Sequence, residues 1–203
     1  MGIVIELQRE ALDESISIES LMRKAYLVAR KLNLKDFEEW ISQEQNGYKQ
    51  KVPEYRNIVG EIKAWNPYHG WIPMVLSADI ADLISKMPIP TSISELQDVY
   101  NSSEGTVCLS VNGTLTEWFN SNIDFIPTKY QFFSTKSELY RIMSTVRNKI
   151  LEWALLLEEN GIAGEGMTFT DVEKKNAQNS QVINNYTNNF YAEVSDIDVK
   201  QGN

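Results

Sequence analysis

Apolar positions recur at helical spacing over most of the first fifty residues. Ile3–Leu12 predicts a short helix, and residues 13–17 break it. Ser17 is placed to cap a second helix, Ile18–Leu32, in which Leu21, Ala25, Val28, Ala29 and Leu32 share one face. Lys35–Asn46 predicts a third, with Phe37, Trp40 and Ile41 on one side and Gly47 as its stop. The pattern then shortens to strand-like alternation. Residues 57–65 and 71–76 form a predicted hairpin, with Asn66-Pro67 opening the turn and Gly70 closing it. In that register Trp65 faces Trp71, and Pro73 makes the second strand an edge or ends it early.

Residues 77–86 suit a turn or two of helix, and Met87-Pro88-Ile89-Pro90 an extended connector. Ser92 and Glu95 stand at capping-box spacing and open a helix to about Tyr100. Residues 106–111 alternate as a strand, Asn112-Gly113 reads as a tight hairpin turn with Thr114 onward returning, and residues 124–133 read as extended. Ser134 is then expected to cap the longest helix, Lys136–Glu159. Its stripe of Leu139, Ile142, Met143, Val146, Ile150, Trp153, Ala154 and Leu157 is the strongest periodic signal in the chain. The fold class is α+β: a mainly helical domain, residues 1–175, with short antiparallel β-hairpins in the middle. An Asn-rich, β-prone C-terminal tail, residues 176–203, completes it. In the tail, Val182, Tyr186, Phe190, Val194, Ile197 and Val199 are the expected surface for self-association into a homo-oligomer, set against a disordered tail.

Composition narrows the function. The 203 residues carry a net charge of −9, which argues against a nucleic-acid coat or an anionic-membrane binder. A single cysteine, Cys108, forbids an internal disulfide and suits a reducing compartment. With no basic leader in the first twelve residues and no apolar run long enough to span a bilayer, a cytoplasmic location is expected. No phosphate-loop or dinucleotide motif is present, and no cofactor or metal is expected. Gly161-x-x-Gly164-x-Gly166 follows a helix, which makes it a cap and linker rather than a phosphate cradle.

Catalytic candidates are few. His69 is the only imidazole, and between Tyr68 and Gly70 it serves equally well as a turn residue. The enzyme hypothesis is a carboxylate-and-His nuclease using His69, Glu54 and Arg56. The binding hypothesis places a surface on Tyr55, Arg56, Trp65, Asn66, Tyr68, His69 and Trp71. Its occupant is a phage or host protein, or a single strand of nucleic acid stacked on the rings, which the net charge disfavours.

Three groups of residues carry a family resemblance: Glu44-x-Asn46-Gly47-Tyr48, Val52-Pro53-x-Tyr55-Arg56, and Ala64-Trp65-Asn66-Pro67-Tyr68-x-Gly70-Trp71-x-Pro73. With the helix onset at Leu21-Met22-Arg23-Lys24-Ala25 and the closing helix from Val146-Arg147 through Glu158, they resemble the AbiTii domain of bacterial abortive-infection proteins, over roughly residues 3–175. The resemblance implies a module of antiphage defence acting by sensing, protein contact or self-assembly, and brings no known reaction.

Overall fold

The period-3.6 stretches become helices with the expected bounds. The computed structural model describes residues 2–122, 127–188 and 190. In chain order the elements are α1 (Ile3–Leu12), α2 (Ile18–Leu32), α3 (Lys35–Asn46), a 3-10 turn (Glu54–Arg56), β1 (Asn57–Asn66), β2 (Gly70–Pro73), α4 (Ala78–Ile84) and β3 (Lys86–Pro88). There follow α5 (Ile93–Ser102), β4 (Thr106–Ser110), α6 (Gly113–Asn122), β5 (Tyr130–Thr135), α7 (Lys136–Glu159), α8 (Asp171–Asn179) and α9 (Gln181–Asn188). Ser17 caps α2 by accepting the Ser20 amide, and the Ser92–Glu95 box is closed in both directions.

The described chain forms two compact units. One comprises the chain up to Tyr55, Pro90–Glu95 and the chain from Met143 on; the other comprises Arg56–Ile89 and Leu96–Ile142. In the helical unit, Leu7, Leu21, Ala25, Val28, Leu32, Ile41, Val146 and Ile150 are fully buried. Phe37 and Trp153 stack with ring centroids 3.8 Å apart. The Arg147 guanidinium donates to the carbonyls of Glu10, Asp13 and Ile16, tying off the end of α1 and the turn after it.

The other unit is built on an antiparallel sheet in the order β2-β1-β5-β4, with β3 paired to the start of β1. Strict alternation puts Ile58, Ile62, Ala64, Phe132 and Val107 on the buried face, with Phe119 of α6 fully buried as well. Gly60 permits a close approach in the sheet: a Cβ there would lie 2.2 Å from the Phe133 carbonyl oxygen and 2.7 Å from the Phe132 ring.

Three local expectations give way. Asn112-Gly113 does not turn a hairpin: Asn112 Oδ1 accepts the Leu115 amide at 2.8 Å and caps α6, because Asn satisfies a helix start as readily as a turn. Ser134 lies inside β5, its hydroxyl donating to the Val59 carbonyl at 2.7 Å, so it does not cap α7. Residues 181–188 are helical rather than extended. The four-residue spacing of Val182 and Tyr186 suits a helix, but the residues that pack on the helical unit are Ile183, Tyr186 and, beyond the end of α9, Phe190. Tyr186 donates to Glu152 at 2.7 Å and to the Lys149 carbonyl at 3.1 Å, and the Phe190 ring meets Trp40 edge-on at 4.9 Å. Val182 is exposed; Val194, Ile197 and Val199 lie outside the described residues. So do residues 124–126 of the stretch read as extended.

Candidate functional site

The hairpin forms as the aromatic spacing requires. Trp65 pairs with Trp71 across β1 and β2, and their rings meet edge-to-face at 5.2 Å. Asn66 Oδ1 accepts the amides of Tyr68 and His69 at 2.8 and 3.1 Å, and Gly70 at φ +74° completes the turn. The loop is tied to its neighbour by the Thr128 hydroxyl, which donates to the Trp65 carbonyl at 2.6 Å.

Because side chains alternate, the sheet's other face carries Val59, Glu61, Lys63 and Trp65 of β1 together with Trp71, Phe133 and Cys108. Trp71 meets Phe133 edge-on at 5.5 Å, so three rings run in file across β1, β2 and β5. Trp65 is 40% exposed and Val59 53%, while Trp71 and Phe133 are half-buried. Lys63 Nζ lies 4.9 Å over the Phe133 ring and 3.0 Å from the Glu61 carboxylate, which neutralises it. This is a sheet face open to solvent on which the rings sit among Glu61, Lys63, Gln131 and, opposite Val59, Lys86. An antiparallel sheet tolerates one wet face, but that face is ordinarily polar.

The seven residues expected to form the binding surface divide. Trp65, Asn66, Tyr68, His69 and Trp71 cluster on the hairpin, with Tyr68 92% exposed. Arg56, at the far end of β1, does not join them. Arg56 is fully buried, with Nη1 donating to the Ile89 carbonyl at 3.4 Å. Tyr55 is held in the helical unit by Glu44. Two members of the nuclease triad, Arg56 and His69, are not brought together either. Arg56 and His69 flank β1, a strand of ten residues and about 33 Å at the usual rise. Glu54 is an exposed residue of the helical unit. Among the described residues no cluster of three or more His, Cys, Asp or Glu side chains is placed to hold a metal.

A buried polar cluster escaped sequence reasoning. Glu44 is fully buried on α3, and one of its oxygens accepts both Tyr48 Oη and Tyr55 Oη at 2.6 Å. Trp40 Nε1 donates to Tyr55 Oη at 2.8 Å. The signal was present: four-residue spacing from Trp40 puts Glu44 on the apolar side of the helix, where a carboxylate needs partners. Burial, then the Glu44 charge, pushes both phenols well above their ordinary pKa, so they remain donors at any working pH. The cluster fixes residues 48–55 against α3 and holds no proton poised for transfer. Beside it, Lys149 Nζ lies 5.2 Å over the Tyr55 ring and 3.7 Å over Phe190. Burial draws its pKa down, opposed by Glu152 and Glu44.

The glycine loop is also occupied. Gly161 ends α7, the Ala163 and Gly164 amides both donate to Glu173 Oε1 at 2.9 Å, and Glu173 completes a capping box with Thr170. The anion held by this backbone nest is the protein's own carboxylate.

The fold and its exposed features thus define an α+β protein with a helical unit and a sheet unit whose aromatic face is open. The chain belongs to the AbiTii family: the family model matches residues 2–182, nearly its whole length. The family's name points to abortive infection, a bacterial defence against phage. No curated protein and no solved structure matches the chain. The match covers the buried cluster, the hairpin, α7 and α8, and reaches the start of α9.

Proposed function

We propose that this protein serves antiphage defence as a recognition module, and that the open sheet face around Trp65, Trp71 and Phe133 receives a protein partner of phage or host. The observation that carries the reading is that face: three rings in file, beside a Lys63 that is already paired with Glu61. Aromatic anchors with few free charges are what protein partners bury. A phosphate backbone would call for unpaired cations, and the chain's net charge of −9 opposes it. Sensing by contact needs no acid–base group, which accords with the separation of His69 from Arg56 by the length of β1.

Plaque counts test it, in cells expressing matched soluble amounts of each variant. The Trp65→Ser, Trp71→Ser double variant is expected to lose protection, whereas His69→Ala keeps it. Loss of protection in His69→Ala alone, with the double variant active, would overturn the reading in favour of chemistry at the imidazole. Salt-dependent binding of labelled single-stranded RNA or DNA to the purified chain, abolished by the double variant, would make the occupant a nucleic acid instead.

A further inference from the structure

The two edges of the sheet are built differently. On one, β2 closes on Pro73 and β3 carries Lys86 and Pro88. Proline withholds a donor and lysine resists a dry contact, so that edge discourages a further strand. The other edge is β4, which pairs with β5 alone among the described residues. Its sequence, Thr106-Val107-Cys108-Leu109-Ser110, holds no charge and no proline.

The phase of the ladder shows which backbone groups face outward. Just before β4, the Lys136 amide donates to the Gly105 carbonyl at 2.8 Å, which makes those two residues a hydrogen-bonded pair. On the far side of β5, the Trp65 amide donates to the Lys129 carbonyl at 2.9 Å. Alternation from either bond gives the same result. Val107 and Leu109 bond to Ser134 and Phe132, while Gln131 and Phe133 turn to β1. Thr106, Cys108 and Ser110 therefore direct their N–H and C=O groups away from β5, and all three residues are exposed. Leu109, on the core side of the strand, is only half-buried.

We infer that this edge pairs with β4 of a second copy of the chain, antiparallel about a two-fold axis normal to the sheet at Cys108. In that register Cys108 faces Cys108 of the copy, and Thr106 faces Ser110. Every outward N–H and C=O of the three residues is then answered, and the whole strand is used. On the core side Leu109 meets Val107 of the copy; on the other side only small uncharged side chains meet. Glu104 falls opposite Asn112 of the copy rather than another carboxylate, which matters between copies of net charge −9. The axis keeps both aromatic faces on one side, so the pair presents two of them to a partner at once. The pairing itself rests on strand geometry and not on what those faces receive. It uses a different surface from the C-terminal tail.

A five-residue strand pair is a small interface, so the dimer belongs to the weak class and is sought at high concentration. Sedimentation velocity of the intact chain from about 10 µM to about 1 mM should show a monomer–dimer equilibrium within that range. Cys108 is the only cysteine, and Cα atoms of a hydrogen-bonded antiparallel pair lie about 5.5 Å apart. A short bis-thiol reagent, dibromobimane, should therefore bridge two copies. Cys108→Lys sets like charges opposite each other at an exposed position and should weaken the dimer at least about fivefold. Ser110→Pro removes an outward N–H that β5 does not use and should weaken it as well. Circular dichroism checks that both variants keep the fold, and Cys108→Ser should keep the dimer. A monomer at every concentration overturns the inference and leaves the edge to an extended segment of another protein. So does a dimer that either folded variant leaves intact, or one whose thiols the reagent fails to bridge.

Discussion

At the scale of single residues, the Glu44 cluster shows how a buried charge is accommodated. Its carboxylate takes two phenols at 2.6 Å, and one phenol is itself held by Trp40. Tyr55→Phe leaves the Trp40 indole without its acceptor and Glu44 short of one donor, so we expect a loss of about 1–3 kcal/mol, read from urea melts. Glu173 makes a second residue-scale case. Burial raises its pKa, but the amides of Gly164, Thr170 and Ala163 and the Thr170 hydroxyl outweigh that and hold it at about 2. A carboxyl lowered on folding stabilises the native state above its unfolded pKa, and that contribution is lost as pH falls. Glu173→Gln should therefore cost about 1 kcal/mol near neutral pH. The difference from the unsubstituted chain should shrink between about pH 4.5 and pH 2. Gly164 sharpens the point, since at φ +68° a Cβ would sit 2.5 Å from the Phe169 ring. None of this was legible beforehand. A helix-following glycine run shows where the chain turns, not which carboxylate, nine residues on, will fill the turn.

At the scale of elements, legibility followed periodicity. α1, α2, α3 and α7 lie where their apolar spacing put them, and the Trp65–Trp71 pair sits in register across the predicted turn. Errors arose where one residue type serves two structures. Asn112 caps a helix with the same side-chain oxygen that would have formed a turn, and Val182 and Tyr186 are β-prone by type but helical by spacing. The central stripe of α7 is the firmest element-scale statement: Val146, Ile150, Trp153, Ala154 and Leu157 are all fully buried. Ile150→Asp should unfold the helical unit, seen as lost circular dichroism or insoluble expression, because an unpaired charge there costs several kcal/mol. A soluble, fully helical Ile150→Asp protein would show that the stripe is not core.

On the scale of the whole molecule, the chain carries its core chemistry in one unit and its open aromatic face in the other. Residues 181–190 belong to the first: Phe190 is 5% exposed and touches Trp40, Tyr186 and Lys149. Phe190→Ala should cost about 3 kcal/mol, measured by thermal melting, a loss that a tail serving only to join copies would not show. The sheet face was only half legible. The sequence revealed the hairpin rings, but Phe133 joins them through a strand pairing between residues some seventy positions apart, which no local pattern encodes. The tryptophans that expose this face also report on it. Trp65 and Trp71 lie on it, whereas Trp40 and Trp153 are buried in the helical unit. The most direct measurement is fluorine-19 NMR of the chain labelled with 5-fluorotryptophan, titrated with extract from phage-infected cells and, separately, from uninfected cells. Recognition through the sheet face predicts that the Trp65 and Trp71 lines shift or broaden in at least one extract while Trp40 and Trp153 hold. Unmoved Trp65 and Trp71 lines in both extracts, from a preparation that protects cells fully, would contradict it.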